Sequence, residues 1–208
     1  MGKVGARSLA LISMRIIAGE FRGRKLLAPQ GDATRPITDR VKQSLFDILT
    51  PRIEGARVYD LFAGTGSMGL ECLSRGAAFV SFFEADRSAL ERLKKNIAAV
   101  KVESRSQVIP GDLFNWFAAN RPSDRADLIF LDPPYRYLRE NPDQLRKLAE
   151  SIAENHLASD GWVIFRHDVR DELGLAPLKV VDRREYGGMV LEFCDAMASA
   201  RADDERGR

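Results

Sequence analysis

The fold of this chain is decided by residues 58–69, which have the sequence VYDLFAGTGSMG. Residues 58–62 form a short apolar run that predicts a β-strand, and residues 67–75 predict a helix. Between strand and helix lies a GxGxxG pattern, formed by Gly64, Gly66 and Gly69. Small residues there let the backbone approach a ligand closely and aim helix N-terminal N–H groups at it. The pattern predicts a loop that binds a nucleoside-containing cofactor, and a tight turn without a ligand is the alternative.

Outward from this loop, strands and helices alternate along the chain. The sequence predicts strands at 79–84, 107–110, 127–131 and 162–165, helices at 88–97, 112–119 and 142–157, and a final hairpin of strands 179–185 and 189–194. Such units build a parallel sheet with helices on both faces, so the fold class is α/β. We expect a Rossmann-like, mostly parallel sheet with an antiparallel C-terminal hairpin, and ligands at the carboxyl ends of its strands.

Two acidic residues are expected at that edge of the sheet. Glu84 ends the second strand, where its carboxylate can accept hydrogen bonds from ribose hydroxyls, unless it only caps the strand. Asp132 follows the buried fourth strand and opens the sequence Asp132-Pro133-Pro134-Tyr135. Asp132 and the Pro133 carbonyl can accept the two N–H bonds of an exocyclic amine while Tyr135 stacks on the base. The alternative is a polar turn with a surface tyrosine.

The positive charge of the chain is concentrated near its start. Residues 1–50 carry nine Lys and Arg against four Asp and Glu, a net charge of +5, whereas all 208 residues together carry +2. Residues 15–27 predict a basic hairpin, and Thr38 is expected to cap a helix that ends at Pro51. This distribution favours contact with a polyanion at the amino end.

The composition predicts one catalytic domain with a small appendage. We expect an extension at 1–13, a basic hairpin and helix at 14–50, the catalytic domain at 51–195 and a flexible tail at 196–208. Two isolated cysteines suggest no disulfide, which fits a cytoplasmic protein, and no membrane-spanning segment is predicted. His156 and His167 stand apart from each other, so no metal site is predicted.

In these motifs the chain resembles the class I S-adenosylmethionine-dependent amino-methyltransferases. From Met14 to Cys194 it resembles more narrowly the RsmD family, which methylates N2 of one guanine in the 16S rRNA of the small ribosomal subunit. The narrower resemblance rests on residues 15–19, on Arg35-Pro36, on residues 38–41 and on Tyr186-Gly187, while Ile37 and Lys42-Gln43 depart from the usual family pattern.

The resemblance implies S-adenosyl-L-methionine as cofactor and 16S rRNA, within the small subunit or its assembly intermediate, as partner of a monomeric enzyme. It implies amine recognition by Asp132, Pro133, Pro134 and Tyr135. It implies a cofactor site that consists of Asp60, Phe62, Ala63, Gly64, Thr65, Gly66, Glu84, Asp112 and Leu113. For Asp112 a plain helix cap is the rival interpretation. The candidates for RNA contact are Arg22, Arg24, Lys25, Arg35, Thr38 and Arg40.

Three other functions stay open at this point. An enzyme that methylates adenine or cytosine amines in DNA would use the same four residues, although nothing in the 208 residues resembles a separate sequence-reading domain. An NAD(P)-dependent oxidoreductase would use the glycine loop alone. An RNA-binding module without catalysis would need neither Asp132 nor Tyr135.

Overall fold

The computed structural model describes residues 14–29 and 37–196. The extension predicted at 1–13 and residues 197–208 of the predicted tail lie outside the described residues. The helices are α1 Asp39–Leu49, α2 Ser67–Ser74, α3 Arg87–Val100, α4 Leu113–Ala119, α5 Tyr135–Glu140 and α6 Pro142–Ser151. The strands are β1 Arg57–Leu61, β2 Phe79–Glu84, β3 Ser106–Pro110, β4 Ala126–Leu131, β5 Leu157–Asp168, β6 Leu178–Tyr186 and β7 Met189–Ala196.

The strands form one seven-stranded sheet in the order β3-β2-β1-β4-β5-β7-β6. The first five strands in this order are parallel, and β7 pairs antiparallel with both β5 and β6. This confirms the α/β class, the mostly parallel sheet and the C-terminal hairpin. After β1 the chain adds β2 and β3 on one side of β1 and then crosses over to form β4 on its other side. This reversal opens a crevice for ligands at the carboxyl ends of β1 and β4.

Apolar side chains cover the two faces of the sheet as two clusters. One cluster packs α1, α2 and α3 against the sheet, and the other packs α4 and α6 against its opposite face. Ile16 and Leu26, which come from the basic segment before α1, are buried in the first cluster. This segment therefore shares the core of the sheet.

Residues 14–29, here called the N-terminal arm, form less regular structure than the predicted hairpin. A single antiparallel bridge joins Arg15 to Lys25, and the turn between them packs on the end of α2. Gly19 has φ +83°, and a Cβ there would lie 1.8 Å from the Ser74 carbonyl oxygen. Some backbone N–H groups of the turn bond to α2, with Glu20 N donating to Ser74 O at 2.7 Å. The two halves of the arm also bond to each other, for example from Ile16 N to Arg24 O at 3.0 Å. The arm is therefore a short antiparallel pairing whose turn is held by α2.

The helices depart from the prediction at two points. The helix expected from residue 88 begins at Arg87, and its capping residue is Asp86, whose side chain accepts a hydrogen bond from Ala89 N. The helix expected over 142–157 is present as α6 up to Ser151, followed by one wider turn over Ile152–His156. A helix of six residues, α5, directly follows Pro134; it is too short for hydrophobic periodicity to reveal.

Candidate active site

The glycine loop connects β1 to α2 in the geometry that the sequence predicts. Gly64 has φ +57°, and a Cβ built on it would contact nothing within 4 Å, so its open side faces free space in a cavity. Gly66 precedes α2 as its capping residue in a left-handed conformation. Asp60 accepts a hydrogen bond from Gly69 N through Oδ2 at 2.9 Å, which braces the first turn of α2 against β1.

The Asp60 carboxyl is buried and has an unusual protonation equilibrium. Removal from water raises the pKa of Asp60 to about 8, against the opposing effect of the Gly69 N–H, and the charges of Asp132 and Glu84 raise it further. At neutral pH this carboxyl is therefore mostly protonated and uncharged.

Glu84 holds the other side of the same loop. Its Oε2 accepts from Gly64 N at 2.7 Å, and its Oε1 accepts from Ala85 N and Asp86 N, each at 2.8 Å. Since a carboxylate has about four lone-pair positions, these three bonds leave Glu84 able to accept from one further donor. Glu84 therefore shapes the loop and can still bind a ligand hydroxyl.

These groups surround a cavity of about 540 Å³, which we call the glycine-loop cavity. Its size is typical of small-molecule and cofactor sites. Its wall combines carboxylates, the open loop backbone and apolar surface. It includes Asp60, Phe62, Ala63, Gly64, Thr65, Glu84, Asp132, Pro133, Pro134 and Tyr135, together with Met14 and Pro29 from the arm. The open face at Gly64 and the hydroxyl acceptor at Glu84 fit a nucleoside-containing cofactor.

Three residues that the sequence assigned to the cofactor are not in this wall. Gly66 is the capping residue of α2. Asp112 caps α4, and its Oδ1 accepts from Phe114 N at 2.8 Å and from Asn115 N at 3.4 Å. Leu113 is buried in the core. Neither Asp112 nor Leu113 is among the described residues that line the glycine-loop cavity. The helix cap accounts for Asp112, and its contact with adenine stays a prediction.

Asp132 makes a contact that the sequence analysis missed. Arg166 binds both of its carboxylate oxygens, with Nε 2.7 Å from Oδ1 and Nη2 2.5 Å from Oδ2. Burial by itself would lower the pKa of Arg166, but the charge and hydrogen bonds of Asp132 outweigh burial and raise it. One part of the evidence for this contact lies in the sequence, because Arg166 directly follows an apolar run, as Asp132 does. The other part is the pairing of β4 with β5, which aligns Leu131 with Phe165 and so places Asp132 and Arg166 side by side.

Tyr135 belongs to the walls of two cavities. It lines the glycine-loop cavity and also a second cavity of about 680 Å³ between α1 and the turn of the C-terminal hairpin, which we call the hairpin cavity. At its base the Ser44 and Tyr186 hydroxyls lie 2.8 Å apart, which ties α1 to the hairpin. The hairpin cavity is lined by Thr38, Arg40, Val41, Ser44, Tyr135, Asp168, Arg170, Tyr186, Gly187, Gly188 and Met189.

The RNA-contact candidates fall into two separate places. Thr38 caps α1 as predicted, and with Arg40 it lines the hairpin cavity. The exposed side chains of Arg22, Arg24 and Lys25 belong to the arm, whose turn packs at the end of α2 away from the glycine loop. At 1.5 Å per residue, the eight residues of α2 separate this turn from the loop by roughly 12 Å. Arg35 lies outside the described residues.

A buried ionic cluster joins the arm, α1 and α2 next to the glycine loop. Glu71 is fully buried and accepts from Ile17 N at 2.8 Å, Ala18 N at 3.0 Å, Lys42 Nζ at 3.0 Å and Arg75 Nε at 2.9 Å. Burial would raise the pKa of Glu71, but its cationic and N–H partners lower it. Lys42 Nζ also donates to Ser67 Oγ at 3.0 Å, at the start of α2. Sequence reasoning missed this cluster.

The arm is also bonded directly to the loop. Thr65 Oγ1 donates to Met14 Sδ at 3.2 Å, and Asn96 Nδ2 donates to Thr65 O at 2.9 Å. Asn96 meets the arm through Leu27, whose N–H donates to Asn96 Oδ1 at 2.8 Å. Both ends of the arm therefore converge on Thr65.

Cation and membrane chemistry receive no support from the described part of the chain. No group of three or more His, Cys, Asp or Glu among residues 14–29 and 37–196 could hold a metal ion. Within the same ranges no helix combines the length and the apolar character needed to cross a membrane.

Comparison with known proteins points to one family. The family model described as conserved hypothetical protein 95 matches residues 14–195. Ribosomal RNA small subunit methyltransferase D of Haemophilus influenzae is 41% identical over 166 residues, which cover 79% of this chain and 83% of that protein. Putative rRNA methyltransferase YlbH of Bacillus subtilis is 38% identical over 178 residues, which cover 84% of this chain and 94% of that protein.

The structural similarity extends over nearly the whole described chain. The solved structure of the putative methyltransferase yhhF from Escherichia coli matches with a TM-score of 0.76 and 31% sequence identity. The match covers 89% of this chain and 99% of that one.

Proposed function

This chain belongs to the RsmD family of methyltransferases, and on that premise we propose that it transfers a methyl group from S-adenosyl-L-methionine to the exocyclic N2 of one guanine in 16S rRNA. One observation carries the proposal. Asp132, Pro133, Pro134 and Tyr135 stand in the same cavity wall as the glycine loop, so a planar amine and a nucleoside cofactor can be held against each other.

The cofactor would occupy the glycine-loop cavity. The loop backbone from Phe62 to Gly66 can approach it closely, and Glu84 can accept a hydrogen bond from a ribose hydroxyl. Asp60 acts through the loop, since its carboxyl bonds to Gly69 N. When bound, S-adenosylmethionine supplies a sulfonium methyl group that is already strongly electrophilic.

The target base would enter from the hairpin cavity. Tyr135 stands between the two cavities and offers an aromatic face to a base removed from its stack. Asp132 and the Pro133 carbonyl would then accept the N–H bonds of the amine. Thr38 and Arg40 line the hairpin cavity and would contact the RNA on either side of the target base.

Catalysis by these residues is mainly positioning. The lone pair of the guanine amine is delocalised into the ring, which makes N2 a poor nucleophile. Holding it in line within about 3–3.5 Å of its target can supply roughly 7–11 kcal/mol of the barrier. N2 forms its bond to the methyl carbon as the carbon–sulfur bond breaks, the bonding pair stays on sulfur, and N2 releases one proton. Asp132 would attract the positive charge that develops on N2.

The RNA would contact the protein beyond the reacting base as well. Arg22, Arg24 and Lys25 form an exposed basic surface on the arm, roughly one helix length from the glycine loop. That spacing suits contact with the phosphates of neighbouring structure in a folded RNA. An assembled small subunit or its assembly intermediate as substrate, a monomeric enzyme and a cytoplasmic location belong to the same proposal.

The decisive experiment measures transfer of labelled methyl groups to small subunits and to 16S rRNA from cells that lack this activity, followed by nucleoside analysis. N2-methylguanosine as the labelled product, formed much more slowly by an Asp132→Asn control that still binds cofactor, would support the proposal. Label in DNA adenine or cytosine instead would favour the DNA methyltransferase. Stabilisation by NAD(P) and not by S-adenosylhomocysteine would favour the oxidoreductase.

A further inference from the structure

Arg166 and Asp132 form a rigid, nearly buried pair at the reacting end of the glycine-loop cavity. The guanidinium side chain is 12% exposed and the carboxylate side chain 21% exposed. Two parallel hydrogen bonds fix the plane of the carboxylate, because a planar donor pair matches both oxygens at once. The neighbouring strands hold both backbones, since β4 and β5 are in register up to Leu131 and Phe165.

Stability alone is a poor explanation for this pair. The third guanidinium nitrogen, Nη1, is buried and bonds to no partner among the described residues. An unpaired buried donor costs about 1–3 kcal/mol. A buried ion pair is often no more stabilising than apolar side chains of similar volume. The pair is therefore better explained by what it does in the cavity that both residues line.

We propose that Arg166 is a positioning residue that fixes the Asp132 carboxylate in plane, so that Asp132 orients the target amine as a hydrogen-bond acceptor and the proton released by N2 passes to water. The inference rests on the proposed function, in which Asp132 accepts the N–H bonds of the target amine, and assigns to Arg166 the positioning of Asp132.

The hydrogen bonds of the Asp132 carboxylate are consistent with Arg166 as the positioning residue and Asp132 as the acceptor. A carboxylate offers about four lone-pair positions, of which Arg166 uses two. The remaining positions can accept the amine N–H groups in a fixed direction. Asp132 then serves as a hydrogen-bond acceptor held in one direction, and the proton that N2 releases passes to water.

The pair also acts as a fixed dipole. Asp132 is the more exposed member, so the negative end is the one more accessible from the cavity. A dipole held in place before the reaction favours positive charge on N2 without reorganising during it. The charge of Arg166 weakens the attraction between Asp132 and the positive charge on N2. Its two hydrogen bonds also prevent the Asp132 carboxylate from rotating.

The first test compares kcat and KM for wild type, Arg166→Gln and Arg166→Lys. We expect Arg166→Gln to lower kcat by roughly 10- to 100-fold, the scale of a misplaced catalytic group, with KM for RNA and cofactor affinity changed less than about threefold. Arg166→Lys keeps a cationic donor beside Asp132 and should recover part of the lost kcat, whereas a rise in KM together with the loss of kcat in Arg166→Gln would contradict a positioning role.

Arg139→Gln is the matched control. Arg139 also binds an aspartate at 2.7 Å, the nearly buried Asp171, and neither residue lines the described wall of the glycine-loop or hairpin cavity. This variant should leave kcat unchanged. If Arg139→Gln lowered kcat as Arg166→Gln does, the effect would be one of general ion-pair loss and the inference would be wrong.

The second test is a double-mutant cycle with Asp132→Asn. If Arg166 acts through Asp132, then Arg166→Gln should change kcat less than about threefold in the Asp132→Asn background. Thermal unfolding gives a readout independent of activity: Arg166→Gln should lower the melting temperature by leaving a half-buried carboxylate unpaired, and adding Asp132→Asn should recover most of the loss. An equal kcat loss in both backgrounds would overturn the inference. A wild type that transfers no methyl group to guanine N2 would overturn the proposed function instead, while the unfolding cycle would still report the pair.

Discussion

Asp60→Asn should make the stability of this protein less dependent on pH than it is in the wild type. The Asp60 carboxyl is buried behind the glycine loop, and burial raises its pKa from an ordinary value near 3.8 to about 8. Asparagine has the same shape, keeps an oxygen that can accept from Gly69 N, and cannot ionise. The difference between the two proteins therefore isolates the titration of this one group.

The sign of the effect follows from the bound protons. Between about pH 4 and pH 8 the folded protein keeps the proton on Asp60, whereas the unfolded chain has released it. The stability that this protonated group contributes is complete below the unfolded pKa and is lost as the pH rises through the folded pKa. One such proton corresponds to about 1.4 kcal/mol per pH unit, so from pH 5 to pH 8 the wild type should lose about 4 kcal/mol relative to Asp60→Asn.

Thermal or urea unfolding of both proteins without ligand at pH 5, 6.5 and 8 measures this difference. For a chain of this length, 4 kcal/mol corresponds to roughly 8–16 °C in melting temperature. Two stability curves that stay parallel over this range would refute the reasoning. So would a wild type that gains stability relative to the variant as the pH rises, because Asp60 would then be charged in the folded protein.

Three further outcomes are expected. Glu71→Gln leaves two buried cations without their carboxylate and should lower the free energy of unfolding by about 3–5 kcal/mol, measured by urea unfolding; a loss below 1 kcal/mol would contradict the role of the buried cluster. Tyr135→Ala should lower kcat/KM for RNA by the loss of about 1–3 kcal/mol of base stacking, whereas Tyr135→Phe should be mild. Equal damage from both would assign the function to the hydroxyl. Replacing Arg22, Arg24 and Lys25 with Ala should reduce the salt dependence of RNA affinity by about one unit of slope per lost phosphate contact, at unchanged kcat, and an unaltered slope would show that the RNA binds elsewhere.

Each of these variants has a control elsewhere in the chain. Asp143→Asn breaks the exposed ion pair with Arg146 and should change stability little, unlike Glu71→Gln. Lys94, Lys95 and Lys101 are exposed basic residues on and after α3, and their joint replacement with Ala matches the charge change of the arm variant.

Local sequence patterns predicted the elements well where a strong signal marks their ends. The bounds of β2 are those expected, because an apolar run stops at the charged Glu84, and α2 begins at Ser67 as expected and ends one residue early, at Ser74. The start of α3 was misplaced, because Asp86 and Ser88 are both good capping residues and only the structure shows which one bonds. In the arm, bonds to α2 decide the conformation, and a partner more than fifty residues away leaves no local trace.

The residues of the candidate site also differ in whether the local sequence could predict them. Glu84 and Asp132 could be placed at one edge of the sheet because each ends or directly follows a strand in the alternating pattern, whereas Asp60 was assigned only through the family resemblance. Arg166 could not be assigned to Asp132 without the order and register of β4 and β5, which depend on packing over the whole sheet. Glu71 has the pattern of an ordinary helical residue, and its burial follows from the arm that covers it.

The bonds of the arm to Glu71 and Thr65 make the arm an integral part of the fold and not a module that can be exchanged. Exchanging the arm for that of another RNA-binding protein would remove two backbone donors from a fully buried carboxylate and the contacts on both sides of the glycine loop. The RNA contacts proposed for the arm can therefore vary only through side chains that project from the exposed turn, such as Arg22 and Arg24, while the backbone beneath them is tied to the glycine loop. We expect that a change in these contacts would proceed by point substitution on this surface, because transplanting the segment would disturb the loop to which it is bonded.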